Sequence, residues 1–176
     1  MQGPHDSDDF MKPADRKMLY NSSWSVGHSS NRTGVRLGGH VPEWARTDGG
    51  EGGSHPSNVF DYGYPSPGGM NWTGESPIVF MMDSPNLGGL ICSTTVVSAD
   101  LWRMGQMNSG DPVKFSPVLY EDAVKLSRRV ALRKQIREYY QADRSIFYRS
   151  TSSISLRREL DVTTQRTRRF YLYVAT

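Results

Sequence analysis

The chain has 176 residues, 36% of them hydrophobic, with four Trp, nine Tyr and six Phe; that composition can pack one domain and excludes global disorder. The net charge of +3 hides a division. Residues 1–124 carry 8 Lys+Arg against 14 Asp+Glu and residues 125–176 carry 13 against 4, while all 17 Gly and all 10 Pro lie before residue 118.

No stretch reaches the roughly 18 apolar residues that span a bilayer. The N-terminus MQGPHDSDDF lacks the basic region and apolar run of a secretory signal. The single cysteine, Cys92, lies in the apolar run LGGLICSTTVV and has no intramolecular disulfide partner. It reads as a small core residue in a reducing, cytoplasmic setting.

In chain order, Asp8 or Asp9 caps a short helix that Pro13 confines to a turn or two. WSVGHSSNRTGVRLGG predicts two short strands around a polar turn at 29–31, with Val35 and Leu37 on one face and Arg36 on the other. SPIVFMMD, bounded by Pro77 and Pro85, predicts a fully buried strand. The β-branched run Thr94 to Val97 predicts another, and GDPVKFSPV a third with Val113 and Phe115 inward. Short strands between Gly/Pro turns make the fold mainly β, a barrel or sandwich.

From residue 119 the rule changes. Leu119, Ala123, Leu126, Val130, Ile136 and Tyr140 recur at mostly three- and four-residue spacings, predicting a helix over 119–141. Glu121 and Asp122 open it and Arg/Lys crowd its end, as the macrodipole favours. Its basic face invites a nucleic-acid or membrane partner, but a solvated face of a helix packed on its own domain is the expected reading. Residues 142–176 show no turn chemistry and no period, and are expected to be a mobile basic tail.

The segment 48–76, DGGEGGSHPSNVFDYGYPSPGGMNWTGES, holds most of the candidate chemistry. Asp48, Glu51, Asp61 and Glu75 offer carboxylates, Asn58 and Asn71 amides, and glycine pairs allow close backbone approach. No Lys or Arg lies between 47 and 102, and GGEGG lacks the Lys-Ser/Thr of a phosphate loop. The set suits a small, flat, neutral, amide-like ligand better than a phosphate. A metal site from His28, His40, Asp48, Glu51 and His55 matches no compact ligand motif. Ser54 and Ser57 flank His55 without a nucleophile elbow. The competing structural reading is that these residues make turns between strands.

The strings NRTGVRLGG, WARTDGGEGGSHPSNV, NWTGESPIVF and SPNLGGLICSTTVVSADLWRMGQMNSGDPVKF, in this order, resemble the second half of the allophanate hydrolase subunit 2 family. Within it the chain resembles the carboxyltransferase domain of biotin-dependent urea carboxylase, often fused as urea amidolyase. The resemblance covers residues 3–122. It implies an incomplete cyclophilin-like β-barrel over 1–118, followed by the helix at 119–141 and the tail at 142–176. It implies carboxyl transfer from carboxybiotin to urea, giving allophanate. Biotin is the implied cofactor, carried on a separate domain, with ATP used through a biotin carboxylase domain not in this chain.

The expected partners are those two domains and the family domain's own first half, with its TTVQD and GR-type motifs. The chain is therefore expected to be a fragment, inactive alone. The alternative is a non-catalytic interaction subunit of the 5-oxoprolinase or kinase-inhibitor kind. Under the first reading His55, Asn58 and Asp61 are the catalytic candidates. Asn71, Thr73 and Glu75 are expected to bind urea, and backbone amides of Gly52 and Gly53 to polarise the biotin ureido oxygen together with His55. The chain departs from the family's usual pattern at Phe60, Tyr62, Glu75 and Ser93.

Overall fold

Helix α1 (Pro13–Asn21) follows an N-terminal segment of turns. Pro13 starts this helix instead of confining it. It sits in the first turn, where its missing N–H costs nothing and its fixed φ suits the helix. The chain continues through β1 (Trp24–Val26), β2 (Gly34–Gly38), β3 (Gly69–Thr73), β4 (Ser76–Phe80) and β5 (Cys92–Thr95). Then come a short helix α2 (Leu101–Met104), β6 (Pro112–Val118), α3 (Tyr120–Tyr148) and β7 (Phe170–Ala175). This computed structural model describes residues 3–60, 67–85, 88–148 and 170–175.

The seven strands form one sheet in the order β5-β3-β4-β2-β1-β6-β7. Neighbours are antiparallel except β6 and β7, which are parallel. An isolated bridge, Val96↔Val174, joins the segment after β5 to β7, so the sheet curls until its two ends meet. The result is mainly β, an incomplete barrel wall.

Alternation decides which side chains go inside. Val35 and Leu37 are buried and Arg36 between them is exposed. Met70 and Trp72 of β3 and Val79 of β4 join them, with Trp24, Phe115, Val113, Ile91, Leu172 and Val174. Three tryptophans lock this core edge to face, Trp24 to Trp72 at 6.1 Å and Trp72 to Trp44 at 5.5 Å between centroids. Their polar edges are used: Trp24 Nε1 donates to the Leu19 carbonyl and Trp72 Nε1 to Ser93 Oγ, each at 3.0 Å. Ser93, one of the departures from the family pattern, thus accepts from a core indole. Cys92 is buried, and burial pushes its thiol up to about 11.

Two expectations about the C-terminal part need correction. The predicted helix exists but runs to Tyr148. Its start packs on its own domain, where Ala123 and Leu126 meet Val97, Ala99 and Val118 and Ser127 Oγ meets Ser98 Oγ at 2.8 Å. Residues 128–138 are all exposed, Val130 and Ile136 included. Likewise the segment read as a tail without period contains β7, with Leu172 and Val174 at 0% exposure. No helix among the described residues is long and apolar enough to cross a membrane.

Candidate functional site

The connection from β2 to β3 carries the site, and it begins with a backbone outlier. Trp44 is the one non-glycine residue with positive φ among the described residues, at 53°. That conformation is costly for a bulky side chain and persists only where packing enforces it. Its ring is buried against Trp72, yet its indole N–H has no acceptor among the described residues. His55 lies edge-on to the same ring, at 6.2 Å between centroids.

His55 is held by its own turn. Its backbone N–H donates to Asn58 Oδ1 at 3.0 Å, and the Ser57 N–H donates to His55 Nδ1 at 3.1 Å. The second bond makes Nδ1 an acceptor, so the neutral ring carries its proton on Nε2. The imidazole therefore presents an N–H donor on its other edge. Ser57 Oγ sits 2.9 Å from Nδ1 and accepts from the Gly74 N–H at 3.1 Å, tying this turn to the β3–β4 hairpin. The Ser57 carbonyl accepts from the Ile91 N–H at 2.8 Å, and Asn58 bridges Leu90. Three segments, 44–59, 73–76 and 89–91, are thus joined around His55.

Arg46 clamps the turn from outside. Its Nε donates to the Pro56 carbonyl at 2.9 Å and a terminal nitrogen donates to the Asn58 carbonyl. Its guanidinium also lies over the Phe10 ring, 4.8 Å from the centroid. Desolvation lowers its pKa, with Asp48 acting in the opposite direction. Sequence reasoning passed over Trp44 and Arg46 because both stand just ahead of the glycine-rich segment. Nothing in a one-dimensional string marks a positive φ at Trp44.

The glycine pairs have a role other than the one expected. The N–H groups of Gly52 and Gly53 are occupied inside the turn, donating to the Gly49 and Gly50 carbonyls at 3.0 and 3.2 Å. They are not free to polarise a ligand oxygen. Gly52 is small for a packing reason: a Cβ there would lie 2.3 Å from the Val59 carbonyl carbon. Gly50 is glycine for a conformational one, with φ 58° and open space around it.

The remaining candidates do not gather in one place. Asn71 and Thr73 sit on the face of β3 opposite Trp72. Asn71 is buried, and its Nδ2 has no partner among the described residues. Thr73 Oγ1 accepts from an Arg36 terminal nitrogen at 3.3 Å and donates to the Ser76 carbonyl at 3.1 Å. Glu75 is exposed at the hairpin tip, next to Gly74 with φ 68°. Asp61 and Tyr62 lie outside the described residues. His55 and Asn58 are brought together in one turn, while Asn71 and Thr73 lie on β3.

Among the described residues no three His, Cys, Asp or Glu are grouped to hold a metal. A cavity of about 490 Å³ is lined by Met81, Met82, Met104 and Met107 beside an Arg32–Asp83 ion pair of 2.9 Å. A second, of about 400 Å³, runs between residues 95–98 and the first turns of α3. Neither includes a candidate site residue.

Residues 1–117 match the family model described as carboxyltransferase domain, subdomain A and B. The chain is 47% identical over 133 residues to the urea amidolyase of Saccharomyces cerevisiae, covering 74% of this chain and 7% of that one. It is 48% identical over 124 residues to the urea amidolyase of Lachancea kluyveri, covering 70% and 7%. The crystal structure of Kluyveromyces lactis urea carboxylase superposes with a TM-score of 0.71 at 44% identity, covering 74% of this chain and 12% of that one. The chain thus corresponds to a small part of each of these relatives.

Proposed function

The chain belongs to the family of the carboxyltransferase domain, subdomains A and B, and from that membership we propose that it forms part of a site moving a carboxyl group from carboxybiotin to urea. The observation that carries this reading is Trp44: a strained residue whose buried N–H has no acceptor among the described residues, in ring contact with His55. Strain and an orphan donor side by side are features that cores avoid and that ligand sites use.

The donor set suits a ureido carbonyl, the group that biotin and urea share. His55 offers Nε2–H because Ser57 holds Nδ1 as the acceptor. Asn58 offers Nδ2–H because its Oδ1 is taken by the His55 backbone. Both donors are neutral, and Arg46 is turned to backbone carbonyls. A neutral oxygen that gains partial negative charge during transfer is stabilised by such preoriented N–H groups. Carboxybiotin, when bound, supplies the carboxyl group itself. The work of this chain is to hold and polarise the acceptor oxygen. Asn71, Thr73 and Glu75 are left out of this set because of their positions on β3 and at the hairpin tip.

The test is His55→Leu at the matching position of a full-length urea carboxylase. Loss of one oriented donor is expected to lower urea carboxylation by about 10²- to 10³-fold, with the ATP-dependent carboxylation of biotin unchanged. A rate within about twofold of the parent would remove His55 from the site and leave its turn a structural one.

A further inference from the structure

Beyond its second turn, α3 is bare. Residues 128–138 are exposed on every side, Val130, Leu132 and Ile136 at 40%, 56% and 47%. The stretch lies past the family-matched residues 1–117 and carries five Lys+Arg against one acid. Lys134 has Glu138 at 3.9 Å. Arg128, Arg129, Arg133 and Arg137 have no acid partner among the described residues.

The cations form a row. Arg129, Arg133 and Arg137 recur every four residues, each about 6 Å further along the axis and only about 40° further round. Lys134, three residues before Arg137, stands beside it on the same flank. Like charges so close repel, and a helix keeps them at a cost in stability. An anion laid along the row removes that repulsion. Nothing on the chain's own body supplies it, because exposed acids there are engaged by local cations, as in Lys12–Glu43, Arg16–Asp8 and Arg32–Asp83.

The complement must be an extended anion. Four of the five cations are arginine, whose planar fork matches the oxygens of a phosphate. A bilayer surface fits poorly, since a helix lying in it needs a continuous apolar face. Here Leu132 and Ile136 share one side while Val130 stands about 200° round from Leu132. A helix free on all sides, about 10–12 Å across, fits the major groove of B-form DNA, about 12 Å wide. We propose that residues 128–138 of α3 are a binding site for the phosphodiester backbone of duplex DNA, read by charge and not by sequence. The site is independent of the carboxyl-transfer reading, which uses no residue of α3.

The test uses the full chain and a fluorescein-labelled 20-base-pair DNA duplex of mixed sequence, followed by anisotropy. Binding is expected to weaken about 60- to 500-fold between 50 and 200 mM NaCl, as release of counterions from three to five phosphates requires. Arg129→Gln, Arg133→Gln and Arg137→Gln together should weaken binding at 50 mM at least tenfold with helix content by circular dichroism unchanged. The same loss of charge at Lys17, Arg32 and Lys114, exposed elsewhere on the body, should change it less than twofold. Duplex RNA, whose major groove is too narrow for a helix, should bind at least threefold more weakly, and polyglutamate at least tenfold. The proposal is overturned if the parent chain does not bind the duplex at 50 mM, or if the two triple variants weaken it equally. Equal affinity for polyglutamate, duplex RNA or phosphatidylserine vesicles overturns it as well. The salt dependence of the parent chain decides without any variant: a change under about threefold refutes phosphate contact.

Discussion

Replacing Arg46 by Met keeps the aliphatic stem and removes the guanidinium, so it isolates the clamp on the His55 turn. Two donors are lost, one to the Pro56 carbonyl at 2.9 Å and one to the Asn58 carbonyl, with the cation–π contact to Phe10. Hydrogen bonds to a charged group contribute about 1.5–3 kcal/mol each and an exposed cation–π contact about 0.5–1 kcal/mol. Against this stands the desolvation of a half-buried guanidinium, visible in its lowered pKa, which the substitution relieves. The net expectation is a loss of about 2–4 kcal/mol, read as a shift of the midpoint in guanidinium chloride with unchanged slope. Arg46→Lys should recover less than half, because an ammonium is a point charge and cannot span two carbonyls as a planar fork does. The imidazole ¹⁵N shifts of His55 should move away from the Nε2–H tautomer in Arg46→Met, as the Ser57 N–H loses its alignment. A stability change under about 0.5 kcal/mol, or full recovery by Lys, would refute the clamp.

Gly52→Ala should destabilise by about 1–3 kcal/mol through overpacking on the Val59–Phe60 backbone. Gly50→Ala should cost about 1–2 kcal/mol from its left-handed φ alone, with Gly50→Asn nearer the parent; denaturation midpoints order the three. Cys92, raised by burial from 9.0 to about 11, stays protonated in the folded chain while the unfolded chain ionises. Its contribution is therefore fully present below about pH 9 and lost as pH rises to about 11, roughly 2–3 kcal/mol in all. Cys92→Ala should show a shallower fall of stability over that window, and an unaltered slope would contradict the burial argument. Brief trypsin treatment should cut first within 128–137, where every residue is exposed; first cuts between 12 and 46 would contradict the projection of α3 from the body.

Much of the sheet could be read from residue types because alternation is a local signal. Val35, Arg36 and Leu37 declare their faces without help, as do Val113, Lys114 and Phe115. β3 is harder to see: Met70, Asn71 and Trp72 are all buried, so no inside–outside rhythm shows. β7 was illegible for a related reason. Its place depends on pairing with β6, more than fifty positions away, and the Arg-rich context suggested solvent. Helix α3 was legible as a helix but not in its packing, since a stripe of Leu119, Val130 and Ile136 reads the same whether or not a partner covers it.

Of the candidate site, the segment 48–59 stood out by residue chemistry with His55 and Asn58 both among its candidates, but the hydrogen bond that joins them in one turn could not be read from the string. The geometry that sets their protonation, through Ser57 and Arg46, needed three dimensions. The division of β3 also needed register, which sets Asn71 and Thr73 on one face and Trp72 on the other.

The edge-to-face chain of Trp24, Trp72 and Trp44 ends on His55, while Trp102 stands on the surface. Three indoles at such separations share excitation, so Trp44 takes part in the emission of the set. The protein thus carries an unlabelled optical probe of its candidate site: a ureido compound that engages His55 should change the emission of the buried tryptophans without any dye being attached.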